Sequence, residues 1–281
     1  MQNIAIFPNT DRDTDFSATR AVAEILHGFG KTVMLDSSLR GRADVDAEFD
    51  EKHELLAKCD LIVVLGGDGT ILRVANDAAE FDIPIMGINL GHLGFLAQAE
   101  SDETGVFSRL FAGEYTVRRS MMLEARIFSD GKQSGSYTAL NDVILRGEQS
   151  KMISAEVEIG GTVTDRYLAD GVIVATSTGS TAYSLSCGGP IVHPSLDCMI
   201  LTPICPHTLK SRCIVVPPDS RVRVRIDAEY RSDAAVRTDG ETVGTLGRGD
   251  YIEIVRSSRC ASLINLNGKS FFDVIRNKLA D

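Results

Sequence analysis

The chain has 281 residues, 43% of them apolar and 24% charged, and carries a net charge of −10. That length and apolar content suit one large domain or two ordinary ones, each with a sizeable core. The acidic balance argues against nucleic acid as a partner, because such binding leaves a basic face, and no apolar run approaches the ~20 residues of a membrane-spanning helix.

Met1-Gln2-Asn3-Ile4 leads straight into a strand pattern. No charged-then-apolar leader is visible, so a cytoplasmic location is expected. The six cysteines form no C-x-x-C pair and the five histidines are scattered; buried free thiols are expected, and no residue is assigned as a metal ligand.

Residues 4–7 read as a strand ended by Pro8. Ala18, Ala21, Val22, Ile25, Leu26 and Phe29 share a helical face, with Gly30 where a glycine closes a helix. Residues 32–35 form the next strand, and the polar stretch 36–54 reads as a mobile excursion. Residues 61–65 are five unbroken apolar positions, which suits a strand buried on both faces of a parallel sheet. They run into Gly66-Gly67-Asp68-Gly69-Thr70 and a helix through Ile71, Arg73 and Val74. Glycines let the backbone turn sharply and approach a ligand, and a helix N-terminus suits a phosphate. An acid in such a turn repels an anion unless it accepts a hydroxyl proton or holds Mg²⁺, so Asp68 is either the N-cap of a tight strand-to-helix turn or the candidate catalytic group.

Residues 83–88 form another strand, followed by Asn89-Leu90-Gly91-His92-Leu93-Gly94-Phe95-Leu96, in which Phe95 either faces a base or plugs the core. This alternation predicts a Rossmann-like parallel α/β domain over residues 1–100. From residue 115 short strands dominate: 123–128, 137–145, 154–159, 171–175, 214–216, 222–226 and 251–255. Residues 101–267 are therefore expected to form a β-sandwich-like domain, and an amphipathic helix at 270–279 to return residues 268–281 to the first domain. Asn141-Asp142 interrupts an apolar strand, so the pair either caps a bulge or faces a polar ligand. The hydroxyl-rich run Ser177-Thr178-Gly179-Ser180-Thr181-Ala182-Tyr183-Ser184-Leu185-Ser186 follows a strand, and Ser180 or Thr181 is placed to cap a helix beginning near Ala182. Gly30-Lys31-Thr32 and Gly268-Lys269-Ser270 mimic the end of a phosphate-binding P-loop, but Ile25 and Leu263 occupy its first glycine position.

Together these segments, with Gly188-Gly189-Pro190-Ile191 and Pro206-His207-Thr208-Leu209, resemble the bacterial NAD kinase family over about residues 4–279. The first motif alone is shared with phosphofructokinases and lipid kinases; the block at 179–191 is far more specific. The resemblance implies ATP-dependent phosphorylation of the adenosine-ribose 2′-hydroxyl of NAD, with a divalent metal such as Mg²⁺. It implies Asp68 as general base, Asn141 and Asp142 as adenosine contacts, and Asp170 with Thr181, Ala182, Tyr183, Ser184, Leu185 and Ser186 at other NAD positions. Gly69, Arg73, Phe95, Leu168, Thr178, His207 and Glu241 complete the expected ligand contacts. It further implies a homodimer or homotetramer whose NAD site is completed by a neighbouring subunit. Several residues depart from the pattern: Leu168 stands where members often carry Arg, Ser177 and Cys187 replace Pro and Ala, Asp142 replaces a frequent Glu, and Glu241 replaces Gln or Asn. The rival expectations are a diacylglycerol- or sphingosine-type lipid kinase and a non-catalytic nucleotide-sensing protein.

Overall fold

The computed structural model describes residues 1–281 except 92, 93, 98, 101–104, 209, 230–232, 267–269, 280 and 281, and describes no side chain at 100 or 150. The motif residues His92, Leu93, Leu209, Gly268 and Lys269 thus lie outside the described set. The chain forms two compact units, Met1–Arg119 with Ala261–Asp281, and Ser120–Cys260.

The first unit is a parallel sheet with helical crossovers. Its elements are β1 (Asn3–Pro8), α1 (Ser17–Gly28), β2 (Thr32–Asp36), β3 (Glu48–Asp50), α2 (Lys52–Lys58), β4 (Leu61–Gly66), α3 (Asp68–Glu80), β5 (Ile85–Asn89), β6 (Ala99–Glu100) and α4 (Val106–Phe111). Parallel neighbours run β5-β4-β1-β2-β3, and β5 also meets β6 and the end of a late strand through Leu263. Every residue of β4 and β5 is buried, as their apolar runs require. Burial in α3 falls on Thr70, Ile71, Val74, Ala75, Ala78 and Ala79, one helical stripe. At the start of α1 the buried Asp13 accepts N–H bonds from Ala18 (3.0 Å) and Thr19 (2.9 Å), and Gly30 closes the helix at φ +68°. The expected mobile excursion at 36–54 is corrected: Asp36 caps a short turn by accepting Ser38 N–H, β3 pairs with β2, and α2 begins at Lys52.

The second unit holds the strands β7 (Thr116–Ser129), β8 (Lys132–Ala139), β9 (Asp142–Gly147), β10 (Ile153–Ile159), β11 (Thr162–Ala169), β12 (Gly171–Thr176), β13 (Met199–Ile204), β14 (Ile214–Val216), β15 (Val222–Ile226), β16 (Ala234–Thr238), β17 (Glu241–Leu246) and β18 (Tyr251–Asn265), with the short helix α5 (Tyr183–Ser186). Strands β7 and β18 begin in one unit and end in the other. One antiparallel sheet is ordered β14-β13-β12-β9-β16-β17. Strands β11, β10, β15 and β18 pair in turn, as do β7 and β8. Between these layers lies a core that includes Leu123, Val143, Leu145, Val157, Val174, Leu201 and Ile254. The strand expected at 137–145 is in fact two, β8 and β9, broken at residues 140 and 141.

The last helix, α6 (Phe271–Leu279), belongs to the first unit. Its Phe271 ring lies 6.5 Å from that of Phe95, and Lys278 Nζ sits 4.5 Å over the Phe95 ring. Among the described residues no helix is long and apolar enough to cross a membrane.

Candidate functional site

In the first unit, chemistry gathers where β4 meets α3. A Cβ on Gly66 would lie 2.4 Å from Thr70 Oγ1, so only glycine permits this entry into the helix. Asp68 is the first residue of α3, and its side chain reaches the loop after β5. Oδ2 accepts the Phe95 N–H at 2.7 Å, and Oδ1 accepts those of Leu96 at 3.0 Å and Ala97 at 3.3 Å. Gly94 is packed against the same carboxylate: a Cβ there would stand 1.9 Å from Oδ1. A carboxylate offers about four acceptor positions. Among the described residues two N–H groups fill Oδ1 and one occupies Oδ2, which leaves a lone pair on Oδ2 for a proton.

Around this turn, Asn89 at the end of β5 is 1% exposed and donates through Nδ2 to Gly91 O at 2.8 Å, while its Oδ1 has no partner among the described residues. A cleft of about 330 Å³ opens at the carboxyl ends of β1 and β2 beside α3. Asn9, Ser38, Lys52, Thr70 and Arg73 line it, with Asp11 and Asp36 also on its wall. Lys52 is paired with Asp77, so Arg73 is the cation that α3 itself brings to the cleft. Phe95 contributes its N–H, and its ring is spent on α6.

In the second unit, a polar cluster surrounds the β8–β9 break. Asp239, in the turn between β16 and β17, accepts N–H bonds from Leu140 (2.7 Å), Asn141 (2.7 Å) and Asp142 (3.2 Å), and returns its own N–H to Asp142 O at 3.1 Å. Asn141 O accepts Thr176 N–H at 2.8 Å, and a Cβ on Gly179 would lie 2.0 Å from that same oxygen. The Asn141 side-chain Oδ1 is buried and unpartnered among the described residues. Asp142 is 4% exposed. Burial first, and then the neighbouring Asp239 carboxylate, push its carboxyl up to about 7. Burial also raises Asp239, against the pull of its three N–H donors. The exposed Glu241 begins β17 two residues later.

From Thr176 the chain folds back over the outer face of the six-stranded sheet. Residues Thr178–Thr181 form a 3₁₀ turn and α5 follows. The expected cap by Ser180 or Thr181 is corrected: Ser180 Oγ donates to Ser177 O at 2.7 Å and Thr181 Oγ1 to Thr178 O at 3.3 Å. Each hydroxyl serves the carbonyl three residues back, so α5 has no side-chain cap. Tyr183 and Cys187 pack with Val192 on Ile144, Ile173, Ala175 and Ile200. Burial is the main cause of the raised Tyr183 phenol, and the Arg146 cation acts on it in the opposite sense. Ser184 is buried against Thr202 at 2.9 Å, and a Cβ on Gly189 would stand 2.2 Å from its Oγ. Ala182 and Leu185 are half-buried and Ser186 is exposed.

Leu168, Asp170 and His207 gather at the other end of β12. The His207 N–H donates to Leu168 O at 2.8 Å, Asp170 N–H to Ile204 O at 3.0 Å, and Gly147 N–H to Asp170 O at 3.0 Å. The expected positions thus fall into one group in the first unit (Asp68, Gly69, Arg73, Phe95) and one elongated group in the second. Asp239 was legible only as an Asp-Gly turn, since its partners lie 97 to 99 residues away.

Residues 4–115 match the ATP-NAD kinase N-terminal domain, and residues 140–266 match the ATP-NAD kinase C-terminal domain. The chain belongs to the NAD kinase family. A NAD kinase of Caldanaerobacter subterraneus subsp. tengcongensis is 41% identical over 283 residues, spanning 100% of both chains. One of Symbiobacterium thermophilum is 40% identical over 282 residues, covering 100% of this chain and 99% of its own. Among solved structures, yeast NADH kinase complexed with NADH superposes with a TM-score of 0.88 at 27% identity, over 100% of this chain and 87% of that one. An Archaeoglobus fulgidus NAD kinase in complex with ATP gives 0.74 at 27% identity, over 99% and 98%. The NAD kinase matches fall in both units, which disfavours the lipid-kinase and nucleotide-sensor alternatives.

Proposed function

We propose that the protein transfers the γ-phosphoryl group of ATP to the 2′-hydroxyl of the adenosine ribose of NAD, giving NADP, with Asp68 as general base. The observation that carries this reading is the Asp68 carboxylate, fixed by three backbone N–H groups with a lone pair left on Oδ2. Phosphoryl transfer has a loose transition state in which the acceptor proton leaves late, so positioning outweighs basicity. Oδ2 orients the hydroxyl and takes its proton. Gly69 and the start of α3 present N–H groups to donor phosphates, with Arg73 on the adjoining wall. Mg²⁺ would be held by the triphosphate itself, since the lone pair left on Asp68 is used on the hydroxyl, and would supply charge neutralisation.

The acceptor nucleotide is assigned to the second unit. The unpartnered Asn141 amide oxygen accepts from a ribose hydroxyl, and the protonated form of Asp142 donates to the base. Thr178, Thr181, Ala182, Tyr183 and Ser186 wall the ligand, and Leu168, Asp170 and His207 meet its far end. β12 separates these ends by six residues, on the order of 20 Å at ~3.3 Å per residue, a span suited to an extended dinucleotide. Glu241 lies at the edge of the Asn141 end. A cytoplasmic homodimer or homotetramer, with a neighbouring subunit completing the NAD site, belongs to the same proposal.

The test is to incubate the protein with NAD, ATP and Mg²⁺ and to follow NADP. Asp68→Asn should bind NAD nearly normally and lose ~10²–10⁴ in kcat, the usual cost of removing a general base. Near-wild-type kcat in that variant overturns the assignment.

A further inference from the structure

Asp239 and Gly240 have φ of +50° and +90°, both positive as in a type I′ hairpin turn between β16 and β17. Asn-Gly serves that turn as well as Asp-Gly does. The turn alone therefore gives no reason for a carboxylate, and a buried one is costly unless its oxygens are filled. Here they are filled from a different part of the chain: Leu140, Asn141 and Asp142 all point their N–H groups at it, at 2.7, 2.7 and 3.2 Å. An asparagine amide has one acceptor oxygen and could not receive all three. The segment so held is the one whose Asn141 Oδ1 is buried without a partner among the described residues, a costly state for a polar atom. Gly179 and Thr176 fix the Asn141 carbonyl from the other side.

We propose that Asp239 is a positioning residue for the acceptor nucleotide: its carboxylate holds the Leu140–Asp142 backbone so that the Asn141 amide faces the ligand. The proposal rests on the assignment of NAD to the second unit. The carboxylates at this place are Asp142 on β9, Asp239 in the turn and Glu241 on β17; both Asp142 and Asp239 rise with burial, and Glu241 adds repulsion on Asp239.

Asp239→Asn keeps a residue that favours the turn and removes the second acceptor oxygen. The expected result is a loss of at least tenfold in NAD affinity by calorimetry and in kcat/KM for NAD, with KM for ATP unchanged. Asp239→Glu, which keeps both acceptors on a longer arm, should recover part of that loss. Asn141→Ala should weaken NAD binding similarly, and the double variant Asn141→Ala/Asp239→Asn should be no worse than the poorer single one, because both act through one contact. Wild-type NAD affinity in Asp239→Asn overturns the proposal, as do losses that multiply in the double variant or a failure of wild-type protein to bind NAD. Wild-type protein that binds NAD without forming NADP sinks the kinase reading alone, since the calorimetric comparison still decides the role of Asp239.

Discussion

Gly94→Ala is the sharpest probe of the Asp68 geometry, because it removes no catalytic atom and acts only by displacement. The added Cβ would lie 1.9 Å from Asp68 Oδ1, 2.6 Å from its carboxyl carbon and 2.9 Å from Oδ2. Real contacts of this kind essentially never fall under 3.0 Å, so the carboxylate or the 94–97 backbone must move by about 1 Å. Either motion strains the bonds from Phe95, Leu96 and Ala97, and each hydrogen bond to a charged group is worth ~1.5–3 kcal/mol. A displacement of about 1 Å at a reacting group costs about 10²-fold. The expected outcome is a fall of about 10² in kcat, with KM for NAD changed by no more than a few-fold. NADP formation under saturating ATP and Mg²⁺ gives the numbers, and a circular dichroism melt shows that the variant is folded. Combined with Asp68→Asn, the substitution should add little. A folded Gly94→Ala enzyme turning over within about threefold of wild type would refute the idea that this carboxylate must stay where its N–H donors hold it.

Asp142 links stability to pH. Its folded value of about 7 lies above an unfolded value of ~3.9, so the folded protein holds an extra proton; that contribution is whole below about pH 4 and is lost as pH rises through 7. Asp142→Asn should therefore gain on wild type by on the order of 1–4 kcal/mol between pH 5 and pH 8 in urea melts, and a difference that does not change with pH rules this out. Leu168 is 37% exposed on β11 beside His207, where a longer side chain has room. Leu168→Arg adds a charge-assisted donor worth ~1.5–3 kcal/mol and should shift the NAD to NADH ratio of kcat/KM about tenfold or more toward NAD; an unchanged ratio makes Leu168 a packing residue.

The parts of the fold that were legible were those whose burial is written locally. β4 and β5 are buried on both faces, which demands unbroken apolar runs, and the alternation with α1 and α3 follows from helical spacing. β3 was not legible, because Glu48-Phe49-Asp50 is short and polar and is held by pairing to β2. β13 carries Pro203, a residue that argues against an interior strand, yet it pairs with both β12 and β14. In the site, Asp68 stood out because an acid among turn glycines is chemically odd. Its three N–H donors did not, since they come from 27 to 29 residues away. The hydroxyls at 178–186 promised a capped helix, but Ser180 and Thr181 bond backward to their own turn, an option the composition leaves equally open.

Two asparagines carry the remaining argument. Asn89 is held through its side-chain amide nitrogen and Asn141 through its own backbone N–H, and both leave a buried amide oxygen unmatched among the described residues. Native proteins leave few such groups, because each costs roughly 1–3 kcal/mol. Neither sits deep in a core: Asn89 ends β5 next to the Gly66-Gly67-Asp68 turn, and Asn141 stands at the β8–β9 break against Gly179. A position where a folded chain tolerates an unpaired acceptor beside a glycine-lined turn is one where a ligand's donor can complete the pairing. Each unit thus carries, at a strand end, a buried amide oxygen unmatched among the described residues. Asp239 and Gly94 draw their interest from contacts with residues far away in sequence, which residue type alone does not display.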